Sequence, residues 1–328
     1  MDVIKKEHFT RRSAPHTYIT DATLRNEIDD RGYVVMNVLT TEELQLLREL
    51  NDEKHNLTET GMFYSLYSKD LVYRKEIYDR INVILHSFLE KNFKDFQVLY
   101  NIFILKAPGR ESEFFVHQEP SMMDETKFSP LHIWIPLEDI NEKNGAVCLA
   151  EKTHKLYAPD RGISFSSVFE NIQATVQRYM QPIYMKAGEV LIFDPRMIHY
   201  SLPNFSDHTR AAVLCGLAPQ EADVVIAHRE PGDGQKVELI KQDIDFFLKA
   251  DDLYLNCKCR PETGRFEKYS GYEPYLLTDA DFDDFCQYND IKPKDILPPF
   301  EQVECIMYGE PRQELNLYNS RTFKPEMM

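Results

Sequence analysis

The amino-acid sequence predicts a mainly β fold, an antiparallel barrel or sandwich with helices flanking it. Three observations lead there. Apolar residues recur at helical spacing up to about residue 93, then with a period of two from about residue 96. Several such two-periodic runs follow one another, separated by short turns and one longer insertion. Helical patterning returns only after residue 220. With 328 residues, 43% of them hydrophobic, the chain can bury a proper core.

In chain order, "RGYVVMNVL" (31–39) reads as a first strand and "TTEELQLLREL" (40–50) as a helix behind it. Thr40 and Glu43 stand at capping-box spacing, and Leu44, Leu47 and Leu50 form its apolar stripe. "KEIYDRINVILHSFLEKNF" (75–93) is the strongest helix, with Ile77, Ile81, Ile84, Leu85 and Phe88 on one side. "VLYNIFILKAP" is a strand that stops at Pro108-Gly109. "PLHIWIPLEDI" (130–140) alternates: Leu131, Ile133, Ile135 and Leu137 share one face, His132, Trp134 and Pro136 the other. "KNGAVCLA" carries Asn144-Gly145, a hairpin-turn signal. The insertion, 155–187, is polar and aromatic and reads as a lid or substrate loop. "GEVLIFDP" (188–195) and "TRAAVLCGLAP" (209–219) are two further strands. After them, "VELIKQDIDFFLKA" and "TDADFDDFCQYND" look helical. We therefore divide the chain into 1–219, N-terminal helices plus the β domain, and 220–328, a C-terminal extension packed on that core.

The formal net charge of −16 disfavours a nucleic-acid partner, where Lys and Arg must neutralise phosphates. No apolar run is long enough to span a bilayer, and no apolar stretch follows the N-terminal lysines as a signal peptide requires. The six cysteines are sparse and irregularly spaced, as in a cytoplasmic protein with reduced thiols. "CKC" at 257–259 lacks the second ligand pair of a zinc site.

The chemistry begins at "FFVHQEP" (114–120). His117 and Glu119, two apart at the end of a strand, look at the same point, which suits a metal or a plain surface hydrogen bond. "LIFDPRMIHYSLPN" (191–204) supplies a distant His199, and eleven residues later comes Arg210, within an apolar strand. A guanidinium cannot lose its charge, so burying it calls for a carboxylate from the protein or from a small molecule. Two imidazoles and one carboxylate would hold a divalent iron on one face and leave its other positions open. A dicarboxylate could then chelate that iron at one end and meet Arg210 at the other.

The stretch from about 99 to 219 resembles the phytanoyl-CoA dioxygenase family of iron(II)/2-oxoglutarate oxygenases. "LKAP", "HQE", "IWIPLEDINEKNG", "KTHK", "GEVLIFDPRMIHYSLPN" and the "TR" that follows stand in the family's order, and "GYVVMNVLTTEEL" is similar to its opening strand and helix. The resemblance implies a double-stranded β-helix (jelly-roll, cupin-like) core. It implies His117, Glu119 and His199 as iron ligands, Arg210 and Ser201 on 2-oxoglutarate, and Trp134 beside the co-substrate. It departs in having Glu119 where the family usually has aspartate, and in "EKTHK", which lacks the usual Pro-Gly. A retained carboxylate also argues against the halogenating members.

The other histidines carry plainer readings. His132 shares a face with Trp134 and reads as structural, and His154 as closing the hairpin; His8, His16, His55, His86, His208 and His228 read as background. "DADFDDF" reads as the capped start of a solvated helix. The expected activity is hydroxylation of an unactivated C–H bond using iron(II), 2-oxoglutarate and O₂, with succinate and CO₂ as co-products. The expected substrate is a small polar molecule, an amino acid or natural-product intermediate, because the acidic chain offers no basic groove for the phosphates of a CoA thioester. The alternative is a cupin-like metal-binding protein without 2-oxoglutarate chemistry. Oligomeric state is not legible.

Overall fold

The computed structural model describes residues 14–55, 60–156, 160–164, 167–229, 236–255, 258–271 and 275–297. The N-terminal third is built from α1 (Ala22–Arg31), β1 (Tyr33–Asn37), α2 (Thr41–Lys54), β2 (Met62–Tyr64) and α3 (Leu71–Asn92). The predicted capping box opens α2: Glu43 N–H donates to Thr40 Oγ1 at 3.1 Å, and Thr40 N–H to Glu43 Oε2 at 2.8 Å. Asp70 caps α3 by accepting from the N–H groups of Val72 and Tyr73. The stripe Ile77, Ile81, Leu85 and Phe88 is buried as its spacing requires.

The β core follows as β3 (Phe96–Lys106), β4 (Phe114–His117), β5 (Leu131–Pro136), β6 (Val147–Ala150), a short α4 (Gln173–Gln177), β7 (Met180–Pro182), β8 (Glu189–Phe193), β9 (His199–Ser201) and β10 (Arg210–Pro219). These strands make a six-stranded sheet, β1-β8-β5-β10-β3-β2, and a four-stranded one, β4-β9-β6-β7. Every pairing is antiparallel. Trp134, Leu191 and Leu214 of the large sheet share one apolar cluster with Val147 and Leu149 of the small one, so the two sheets enclose a common interior. This is the expected mainly β jelly roll.

The large sheet's other face carries Leu131, Ile133, Ile135, Val213 and Ile192, packed on Leu44, Leu47 and Leu50 of α2 and on the α3 stripe. The alternation along β5 thus sorts as its sequence predicts. Each such aliphatic side chain contributes about 1.5–3 kcal/mol on full burial, so this layer holds the helices to the barrel.

Beyond residue 220 come β11 (Val224–His228), β12 (Glu238–Gln242), α5 (Phe246–Lys249), α6 (Asp252–Leu255), β13 (Arg265–Tyr269) and α7 (Asp279–Tyr288). Phe246, Phe247, Ala250 and Tyr254 join the interior cluster between the sheets. Helix α7 starts at a Thr278–Asp281 capping box, as expected, and buries Phe282 and Phe285 against the small sheet's outer side with Cys148 and Ala150.

Three expectations are corrected. Residues Glu238–Gln242 form a strand, and only Phe246–Lys249 is helical; the run "VELI" is short and compatible with either period, and pairing with β11 and β13 decides it. Asn144-Gly145 does turn the chain, with Gly145 at φ +78°. It leads from β5 in the large sheet to β6 in the small one, so it is not a two-strand hairpin. The 155–187 segment is not a free lid in its second half: Phe169, Ile172, Val176 and Met180 are buried and β7 is a strand of the small sheet. Among the described residues, no helix is long and apolar enough to cross a membrane. Cys257 and His8 lie outside the described residues.

Candidate active site

Strand pairing brings the metal candidates together. In the β4–β9 register His117 stands opposite His199, with ring centroids 4.0 Å apart. His117 Nδ1 lies 2.8 Å from the Phe115 carbonyl oxygen and His199 Nδ1 2.9 Å from that of Met197. Only an Nδ1–H can donate to a carbonyl, so each ring carries its proton there and turns a free Nε2 inward. Both Nε2 atoms lie 3.6 Å from Glu119 Oε1. Among the described residues these three are the group whose ligand atoms, all within 4.8 Å of one another, suit a metal.

Glu119 lies just past the end of β4, and its backbone is pinned twice. Its N–H donates to the Pro195 carbonyl at 3.0 Å, and its own carbonyl accepts from Arg161 Nε at 2.7 Å. Arg161 is in turn clamped by both oxygens of Glu125 at 2.8 Å. The front of the 155–187 insertion is therefore a buttress for the carboxylate. Burial opposes the charge on Glu119, but His117 and His199 outweigh it and hold the carboxyl well below its ordinary range. Burial, and then His117, push His199 down. The donor set is thus a carboxylate with two imidazoles that turn Nε2 towards it, which fits a divalent ion such as iron(II).

Two residues along the same strands the chemistry changes. Ser201 follows His199 on β9, and its hydroxyl oxygen lies 2.7 Å from Lys106 Nζ. Lys106 also donates to the Leu202 carbonyl at 2.5 Å and is paired with Arg210 in the β3–β10 register. Arg210 is 1% exposed, and its Cζ lies 5.3 Å from the centre of the Trp134 ring. It reaches only the carbonyls of Asn144 and Gly145, each at a long 3.4 Å, and its Nη1 has no hydrogen-bond partner. Gly145 is required here twice over, by its positive φ and because a Cβ would come within 2.4 Å of Lys106 Cδ. Burial lowers Arg210 to about 10 and, with Arg210 as the second cause, drives Lys106 well below its usual value. Two buried cationic side chains without an ion-paired carboxylate are costly unless a ligand supplies the anion.

The family model for phytanoyl-CoA dioxygenase (PhyH) matches residues 30–212, more than half of the sequence. The chain belongs to the phytanoyl-CoA dioxygenase family. A phytanoyl-CoA dioxygenase of Arabidopsis thaliana is 30% identical over 121 residues, 35% of this chain and 42% of the relative. Phytanoyl-CoA dioxygenase 1 of Oryza sativa subsp. japonica is 26% identical over 153 residues, 46% of this chain and 54% of the relative. The chain spans about half the length of the curated relatives it matches. Among solved structures, HygX from Streptomyces hygroscopicus, with nickel, 2-oxoglutarate and hygromycin B bound, superposes with a TM-score of 0.44 at 14% identity, covering 61% of this chain and 88% of that one.

All six residues singled out in this family member's sequence line the interior side of the two sheets: His117, Glu119 and His199 at one end, Ser201, Arg210 and Trp134 at the other. Sequence reading missed Lys106. A lysine closing a strand looks like a solvated end, and only the register with Arg210 reveals it as buried. It also missed how His132 is placed: fully buried, neutral because burial pushes it down to about 4, with its ring against Phe193 and its Nε2 hydrogen-bonded to the Tyr100 hydroxyl. His154 does not close a hairpin as expected; its Nε2 lies 3.2 Å from the Asp29 carbonyl oxygen of α1. His16, read as background, is a buried hub between Asp29 at 2.6 Å and Asp194 at 3.4 Å.

Proposed function

We propose that the chain is an iron(II)- and 2-oxoglutarate-dependent oxygenase that hydroxylates an unactivated C–H bond of a small polar molecule. One observation carries the reading: a two-histidine, one-carboxylate set faces the same interior as two buried cations that lack a carboxylate. The two ends are offset by two residues along β9, roughly 7 Å at strand rise, which is on the scale of a short dicarboxylate. His117, Glu119 and His199 would hold the metal, and Arg210, Lys106 and Ser201 would receive the far carboxylate, with Trp134 walling Arg210 off from water. Iron(II), bound with 2-oxoglutarate, would supply the O₂ chemistry that yields succinate, CO₂ and the oxidised C–H bond.

The chain's own part is positional. The backbone carbonyls of Phe115 and Met197 fix both imidazoles; Arg161 and Pro195 fix the Glu119 backbone. Next to the partly exposed His117 stand Phe114, its ring 4.8 Å away, and then Tyr64 and Tyr67. The preference for an amino acid or natural-product intermediate over a phosphate-bearing thioester rests on the acidic balance of the chain, net charge −16. The test is anaerobic titration with iron(II) and then 2-oxoglutarate. The weak visible charge-transfer band of the chelate is expected in the wild type and lost in His199→Ala. Iron binding with no band would overturn the dicarboxylate reading in favour of a cupin-like metal-binding barrel.

A further inference from the structure

We infer that Tyr100 and His132 are a positioning pair that orients the Glu119 carboxylate from inside the barrel. The inference rests on the metal reading of the triad. Tyr100 on β3 and His132 on β5 are both opposite Gly216 of β10, one in each register, so the three residues form a row across adjacent strands. A Cβ on Gly216 would lie 2.6 Å from the Tyr100 ring. The missing side chain is what lets the phenol lean over the central strand and reach His132. Phe247 of α5 packs on the far side of Tyr100, ring centroids 5.2 Å apart, so the C-terminal segment backs the row.

The free nitrogen of His132 gives the row a direction. With Nε2 engaged by Tyr100, Nδ1 is buried, has no hydrogen-bond partner, and lies 3.9 Å from Glu119 Oε1. A carboxylate can only accept; the Nε2 lone pairs of His117 and His199 would be separated from it by the metal they share, whereas a bare lone pair on His132 Nδ1 would face its negative charge directly. The compatible tautomer has the Tyr100 O–H donating to Nε2 and an Nδ1–H directed at Glu119. Glu119 has three side-chain torsions and two oxygens, and the carboxylate is the flexible member of the triad. His132 Nδ1 stands nearest Oε1, the same oxygen that the two Nε2 atoms face, so an N–H there would hold that oxygen toward the metal position.

The test is Co(II) affinity under anaerobic conditions, read by quenching of Trp134, the single tryptophan. Each variant is paired with a melting curve. His132→Phe, which keeps a ring but no nitrogen, is expected to weaken Co(II) binding by about tenfold or more, the range seen when such outer partners of metal ligands are lost. His132→Asn, whose amide N–H can stand near the Nδ1 position, is expected to recover part of that loss. Tyr100→Phe keeps the packing, loosens the imidazole, and is expected to shift affinity in the same direction by less. Unchanged Co(II) affinity in a folded His132→Phe would overturn the proposal; should that variant not fold, unchanged affinity in Tyr100→Phe would do so. A purely structural pair would lower the melting temperature and leave the Co(II) constant alone. If wild type itself binds no Co(II), the metal reading has failed, and this inference falls with it.

Discussion

The two faces of the large sheet carry different kinds of residue. On the helix side, Leu131, Ile133 and Ile135 of β5 and Val213 of β10 are aliphatic and fully buried against α2 and α3. On the interior side, the same two strands present His132, Trp134, Arg210 and Gly216. Here polar atoms are buried without partners, His132 Nδ1 and Arg210 Nη1 among them. The first face is what folding alone would select. The second holds groups that folding alone would penalise. Natural sequences depart from local consistency mainly where function demands it, and along β5 and β10 the departure falls on alternate residues.

The contrast can be broken from either side. The larger effect belongs to the aliphatic face. Leu47→Ala, under the helix that covers it, is expected to cost about 2–5 kcal/mol of stability by leaving a cavity. Its affinities for Co(II) and 2-oxoglutarate should match wild type in the folded fraction. Denaturant unfolding and metal titration on one preparation check both halves. A change in ligand affinity with little loss of stability would mean the two faces are not separable.

The smaller effect belongs to pH and sharpens the interior side. Lys106 has a folded-state value below its unfolded one, because of burial first and Arg210 second. The unfolded chain thus binds the extra proton, and this residue's destabilising contribution shrinks as pH rises from the depressed value towards the ordinary lysine value. A bound carboxylate would raise the Lys106 value again, so above the depressed value binding takes up a proton. Affinity for 2-oxoglutarate should therefore fall with rising pH, by at most about tenfold per unit for one proton. Calorimetric titration across neutral to alkaline pH reads that slope, which Lys106→Met should abolish.

Much of this was legible in the sequence because it depends on short-range rules. The capping box at Thr40 and Glu43, the alternation along β5, and the His117/Glu119 spacing are all local, and the ordered set of motifs carried His199 and Arg210. What stayed hidden depends on register. Lys106 becomes a buried cation only when β3 pairs with β10. His132 turns from a structural histidine into a neighbour of Glu119 only when Gly216 brings Tyr100 across the strand between them. The two halves of the 155–187 segment, one bracing Glu119 through Arg161 and one supplying β7, follow from contacts between residues far apart in the chain. Asn144-Gly145 announced a turn, but not that its carbonyls would face Arg210.

On the proposed function, the interior cations serve a ligand and not the fold. The most direct measurement is a 2-oxoglutarate titration of the Co(II)-loaded Lys106→Met and Arg210→Met variants, each beside its melting curve. Replacing a buried cation that lacks an ion-paired carboxylate by an apolar side chain of similar length removes its desolvation cost. Binding of 2-oxoglutarate is expected to weaken by about tenfold or more, a tenfold loss being about 1.4 kcal/mol, while the melting temperature holds or rises. Variants that melt earlier yet bind 2-oxoglutarate like wild type would contradict that reading.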